Sequence, residues 1–142
     1  MHFHFDQTMY GTFREIKAGG RSGRFDFTCR AVGDAETFPR DRLARLGGTA
    51  ALEGVADAAP MEGTLKIDPI FGRELVYDFA FRVGGELFRF LGRKTIDFTR
   101  PVSSMTTLVG RIDRDGVAWA DVDSRFRLPD LLGLLASFRV GL

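Results

Sequence analysis

The sequence predicts an all-β fold, an antiparallel barrel of about eight strands, and three observations predict it. Apolar and polar residues alternate with a period of two through most of the chain, as in a sheet with one buried face. Turn residues separate these runs at short intervals, most clearly Gly84-Gly85 and Asp115-Gly116. No helix-forming stretch recurs between strands at the spacing that a parallel βαβ unit requires. A sheet of this many strands in 142 residues tends to close on itself, because closure removes the exposed edges. A two-sheet sandwich is the alternative arrangement.

The elements follow in order. His2-Phe3-His4-Phe5 alternates from the start, and a strand is expected again over 8–16. Residues 24–30 place Phe25, Phe27 and Cys29 on one face. A short helix is expected over 39–46, opened by Pro39, stopped by Gly47-Gly48 and carrying Leu43 and Leu46 at i, i+3. Strands are expected over 48–56 and 61–68. Residues 75–83 then put Leu75, Tyr77, Phe79, Phe81 and Val83 on one face, with Asp78 and Arg82 opposite. The return strand, 86–97, puts Phe88, Phe90 and Lys94 on one face and Leu87, Arg89, Leu91 and Arg93 on the other. Two more strands, 105–113 and 117–126, flank Asp115-Gly116. A C-terminal helix is expected over 129–138, where Leu131, Leu132, Leu134, Leu135 and Phe138 have helical spacing.

Composition narrows the function classes. With 44% hydrophobic residues the chain can bury about two-thirds of its unfolded surface in a single domain. Twenty basic against nineteen acidic side chains leave a formal charge of +1, with no field to steer nucleic acid. No apolar run reaches the ~20 residues of a membrane-spanning helix, and residues 1–8 lack the basic and apolar regions of a signal peptide. With Cys29 as the single cysteine no internal disulfide forms, and a reducing cytoplasm is the expected setting.

Chemical motifs are sparse. The glycine cluster over 18–23 joins two strands, so it lacks the helix N-terminus of a phosphate cradle, and no nucleotide cofactor is expected. His2, His4 and Asp6 share a strand face at a spacing that suits a metal, but no third histidine exists, and a solvated terminal strand is the plainer reading. A Ser-His-Asp or Cys-His site would require that terminus to reach the centre of the fold. The abundance of Arg over Lys (Lys17, Lys66 and Lys94 are the only lysines) fits a salt-bridged exterior. Fourteen phenylalanines either pack a barrel interior or line a cavity for an apolar ligand, and composition is compatible with both.

Several short motifs carry a family resemblance. They are Phe5-x-x-x-Met9-x-Gly11, then Gly63-Thr64-Leu65-x-Ile67-x-Pro69-x-x-Gly72 leading into Leu75-Val76-Tyr77-Asp78-Phe79-x-Phe81, then Gly84-Gly85-x-Leu87-x-Arg89, Gly92-Arg93-Lys94-x-Ile96 and Thr106-Thr107-Leu108. Together they resemble the β-rich domain that accompanies the flavin domain in sterol-oxidase-like members of the glucose-methanol-choline oxidoreductase group. The resemblance implies a lipocalin-like barrel and an association with sterol or lipid metabolism. It transfers no catalytic residue and no flavin chemistry, since the dinucleotide fingerprint is lacking.

The functional expectation is a non-enzymatic barrel that binds an apolar, lipid- or sterol-like molecule or serves as an accessory module to a lipid-acting oxidoreductase. Its candidate ligand-binding residues are Tyr77, Phe79, Phe81, Phe88, Arg89, Phe90, Lys94 and Trp119. A second possibility is a small cyclase- or isomerase-type enzyme using Tyr77, Asp78, Arg89 or Lys94 in acid–base roles. A third is an assembly protein, with the Leu-rich 129–138 segment covered by the barrel or by a second subunit in a homodimer.

Overall fold

The computed structural model of the chain describes residues 2–34, 36–68, 74–95 and 107–126. They form one closed sheet of eight antiparallel strands, each paired with its sequence neighbours, and β1 pairs with β8 to complete the barrel. The strands are β1 (His2–Glu15), β2 (Ser22–Asp34), β3 (Leu43–Leu52), β4 (Ala56–Asp68), β5 (Glu74–Val83), β6 (Glu86–Thr95), β7 (Thr107–Arg114) and β8 (Val117–Phe126). Among the described residues no helix is long and apolar enough to cross a membrane.

Period-two patterning becomes the inside and outside of this wall. Along β5, Leu75, Tyr77, Phe79 and Phe81 are buried, and along β6 Phe88, Phe90, Gly92 and Lys94 alternate with exposed Arg89, Leu91 and Arg93. The tight hairpins form where the turn residues stand. Gly84 and Gly85 both have positive φ, as do Asp115 and Gly116, which matches the right-handed twist of the flanking strands.

The expected 39–46 helix is corrected. Only one turn, α1 (Phe38–Asp41), is helical, and Leu43 onward belongs to β3. In that strand Ala44 and Leu46 are buried while Leu43 and Arg45 are exposed, so the operative period is two. Gly47-Gly48 continues the strand instead of stopping a helix, because β3 must pass very close to its neighbour there. A Cβ at Gly48 would lie 2.0 Å from the Thr28 carbonyl oxygen, and one at Gly63 of β4 would lie 2.0 Å from that of Asp78. The expected strands over 2–5 and 8–16 are one continuous β1. The 129–138 segment lies outside the described residues.

Tilt decides which side chains meet inside. Following paired residues around the wall from Gln7 leads through Cys29, Gly48, Met61, Phe81, Phe88 and Arg114 to Val117. Val117 lies beyond Ala120, the partner of Glu15, so the path climbs from the middle of β1 past its end. Steep tilt of this kind is what closing eight strands requires. At the height of Gln7 the opposite walls therefore present Tyr77 and Lys94 and not Phe81 and Phe88.

The interior has two unlike halves. Toward the β5–β6 hairpin, Phe13, Phe25, Phe27, Phe79, Phe81, Phe88 and Phe90 are buried against one another. Phe25 alone lies 5.3–6.4 Å, centroid to centroid, from Phe27, Phe79, Phe81 and Phe90. Such ring pairs add stabilisation beyond the area they bury. Toward the end at which β1 begins and β6 finishes, the buried side chains of the described residues are smaller and more aliphatic, Cys29, Ala31, Ala44, Leu46 and Leu65 among them.

The outer wall is charged and paired. Arg30 makes a two-bond contact with Asp6 at 2.7 and 3.1 Å, and Arg89 does the same with Asp78 at 2.9 and 2.6 Å. Water and salt screen exposed pairs of this type, so they set the character of the surface more than the stability of the fold.

Candidate functional site

Three polar side chains meet inside the aliphatic half, and each is carried by a different strand. Gln7 of β1 points inward with Met9, since residues 7 and 9 occupy the buried face of the alternation. Tyr77 of β5 shares its face with Phe79, and Lys94 of β6 shares its face with Phe90. All three are essentially inaccessible, at 2%, 0% and 1% exposure. The Tyr77 hydroxyl donates a 2.8 Å hydrogen bond across the lumen to Gln7 Oε1. Lys94 Nζ stands 5.4 Å from the centre of the Tyr77 ring, the geometry of a cation–π contact when the amine is charged.

Burial dominates the electrostatics of this cluster. It pushes the Tyr77 hydroxyl well above its ordinary value, with Cys29 acting in the same direction. It also holds the Lys94 ammonium well below the usual lysine value, while Cys29 acts the other way. The phenol is therefore kept protonated, and the amine is biased toward its neutral, nucleophilic form. Gln7 Nε2 is buried with no hydrogen-bond partner, as is Ser124 Oγ of β8. A buried amide without an acceptor is costly, on the order of 1–3 kcal/mol, and such a group needs a reason.

The opposite end of the barrel is stoppered. A bulge in β8, where Ala118 and Ala120 pair with consecutive residues of β7, leaves Trp119 without a partner on β7. Its ring turns onto the core, 5.4 Å from Phe13 and 5.6 Å from Phe88. The Arg114 guanidinium covers both Phe88 and Trp119, and Arg21 covers Phe13. Arg21 is anchored by Glu15 at 3.2 Å and Arg114 by Glu86.

These positions sort the residues predicted from sequence. Tyr77 and Lys94 converge with each other in the lumen. Phe79, Phe81, Phe88 and Phe90 also face inward, as the packed aromatic half. Arg89 lies on the outer wall bound to Asp78, so neither member of that pair reaches the lumen. Trp119 belongs to the stoppered end. Gln7 was not singled out by sequence, although extending the Phe3/Phe5 alternation by one step would have placed it on the inner face. On the terminal strand His4 and Asp6 are exposed, Asp6 is engaged by Arg30, and among the described residues no cluster suited to a metal occurs. No protein-family model, curated protein or solved structure matches this chain.

Proposed function

We propose that this barrel binds an apolar small molecule in its aliphatic half, with a polar head group held at Gln7, Tyr77 and Lys94. The observation that carries the reading is the amide of Gln7: a fully buried donor with no acceptor, hydrogen-bonded on its other side to a buried tyrosine. A ligand oxygen supplies that acceptor, while its apolar tail lies among Cys29, Ala31, Ala44 and Leu65. The aromatic half and its cation-covered stopper close the far end.

An apolar pocket with few polar groups selects by shape and by one or two hydrogen bonds. A fatty or sterol-like alcohol, aldehyde or acid meets that description, in keeping with the lipid association that the family resemblance implies. The test is displacement of Nile red by dodecanol from the purified chain. Saturable one-to-one displacement, weakened about tenfold in Gln7→Leu, is the expected result. Absence of saturable uptake by the folded protein overturns the reading.

A further inference from the structure

We propose that the ligand is an apolar aldehyde and that Lys94 Nζ takes it up reversibly as a Schiff base inside the barrel. This rests on the lumenal binding reading above and adds the chemistry of the head group. Of the three lysines in the chain, Lys17 and Lys66 are exposed, whereas Lys94 is buried on the inner wall. It stands beside the Tyr77 ring, whose hydroxyl reaches Gln7 on the opposite wall. A nucleophilic amine, a phenol and an unpaired amide donor thus occupy one level of the lumen.

Each group has a place in carbonyl capture. The aldehyde oxygen accepts from Gln7 Nε2, which polarises the carbonyl carbon. The Nζ lone pair attacks that carbon, the C–O π electrons move to oxygen, and proton transfer from nitrogen to oxygen gives a neutral carbinolamine. The Tyr77 hydroxyl is the proton donor and acceptor available at this level. The carbon–oxygen bond then breaks as the C=N bond forms, and the oxygen departs as water carrying both hydrogens of the original amine. No oxidant or reductant is consumed, and addition of water reverses the sequence. Desolvation favours this chemistry at Lys94, since it favours the neutral amine, and Lys94 alone of the three lysines is buried.

The experiment treats the full chain with dodecanal at pH 7, reduces any imine with cyanoborohydride and maps the modified peptides. The scarcity of lysine makes Lys17, Lys66 and the N-terminal amine internal controls. The expected result is an adduct at Lys94 at least tenfold in excess of either exposed lysine, and its absence in Lys94→Met. Equal labelling of the lysines, or labelling only at the exposed amines, overturns the inference. If dodecanol still displaces Nile red in that case, the carbonyl chemistry fails while lumenal binding stands; if neither molecule is taken up, both fail. Should Lys94→Met not fold, the ratio of sites in the unaltered chain decides alone.

Discussion

Replacing Phe25 by alanine removes the ring that touches four others at the centre of the aromatic half. The side chain is completely buried, so the substitution loses its transfer free energy and leaves a cavity among rings that cannot easily collapse into it. Substitutions of this kind cost about 3–5 kcal/mol. For 142 residues the unfolding entropy is about 0.3 kcal/mol/K, so the midpoint should fall by about 10–17 °C. Phe25→Leu, which keeps most of the volume, should lose about 1–2 kcal/mol. Leu91→Ala on the outer wall, where the side chain is 41% exposed, should lose no more than about 0.5 kcal/mol. Urea and thermal unfolding followed by circular dichroism measure all three. A Phe25→Ala loss below about 1.5 kcal/mol, or one equal to that of Leu91→Ala, would refute a close-packed aromatic half.

Other consequences are equally direct. Gly63→Ala places a methyl against the Asp78 backbone and should destabilise by about 1–3 kcal/mol, whereas alanine at Gly47, where a Cβ meets nothing within 4 Å, should be tolerated far better; paired urea melts compare them. Lys94 has a lowered folded pKa, so between that value and the unfolded value of about 10.4 the unfolded chain binds the extra proton and stability rises with pH. Lys94→Met should therefore be more stable than the parent at pH 7, by a margin that shrinks as the pH approaches about 10; a variant less stable at pH 7 by a pH-independent amount would contradict this. Asp6 and Glu86 are held below the usual carboxylate range by hydrogen bonds from Arg30 and Arg114. Their contribution is present above the unfolded carboxylate values and is lost as the pH falls through the folded ones, so Asp6→Asn should flatten the acid limb of a stability-versus-pH curve.

The barrel was legible because its information is local. Alternation in β5 and β6 assigns every side chain from Leu75 to Lys94 to a face, and Gly84-Gly85 and Asp115-Gly116 fix two hairpins without reference to the rest of the chain. The 39–46 segment misled because Leu43 and Leu46 satisfy a helical spacing by coincidence, while the close approach of β2 and β3 at Gly48 is a tertiary fact. The site was half legible. Inward-facing Tyr77 and Lys94 follow from pattern, whereas Arg89, expected among the ligand-binding residues, stands on the outer wall bound to Asp78. Their meeting with Gln7 depends on strand tilt, which is set by closure of all eight strands and brings β1 opposite β5. Trp119 owes its inward turn to a bulge, which period-two reading passes over.

Gln7 is the only glutamine in a chain without asparagine, and Trp119 is the only tryptophan. A nitrogen–proton correlation spectrum therefore contains one side-chain amide pair at the lumenal cluster and one indole signal at the stoppered end. Titrating dodecanol into the labelled protein is the most direct test of a ligand head group at Gln7. The amide pair should shift saturably while the indole stays in place. An indole shift with an unmoved amide, or no movement of either, would contradict the proposed site.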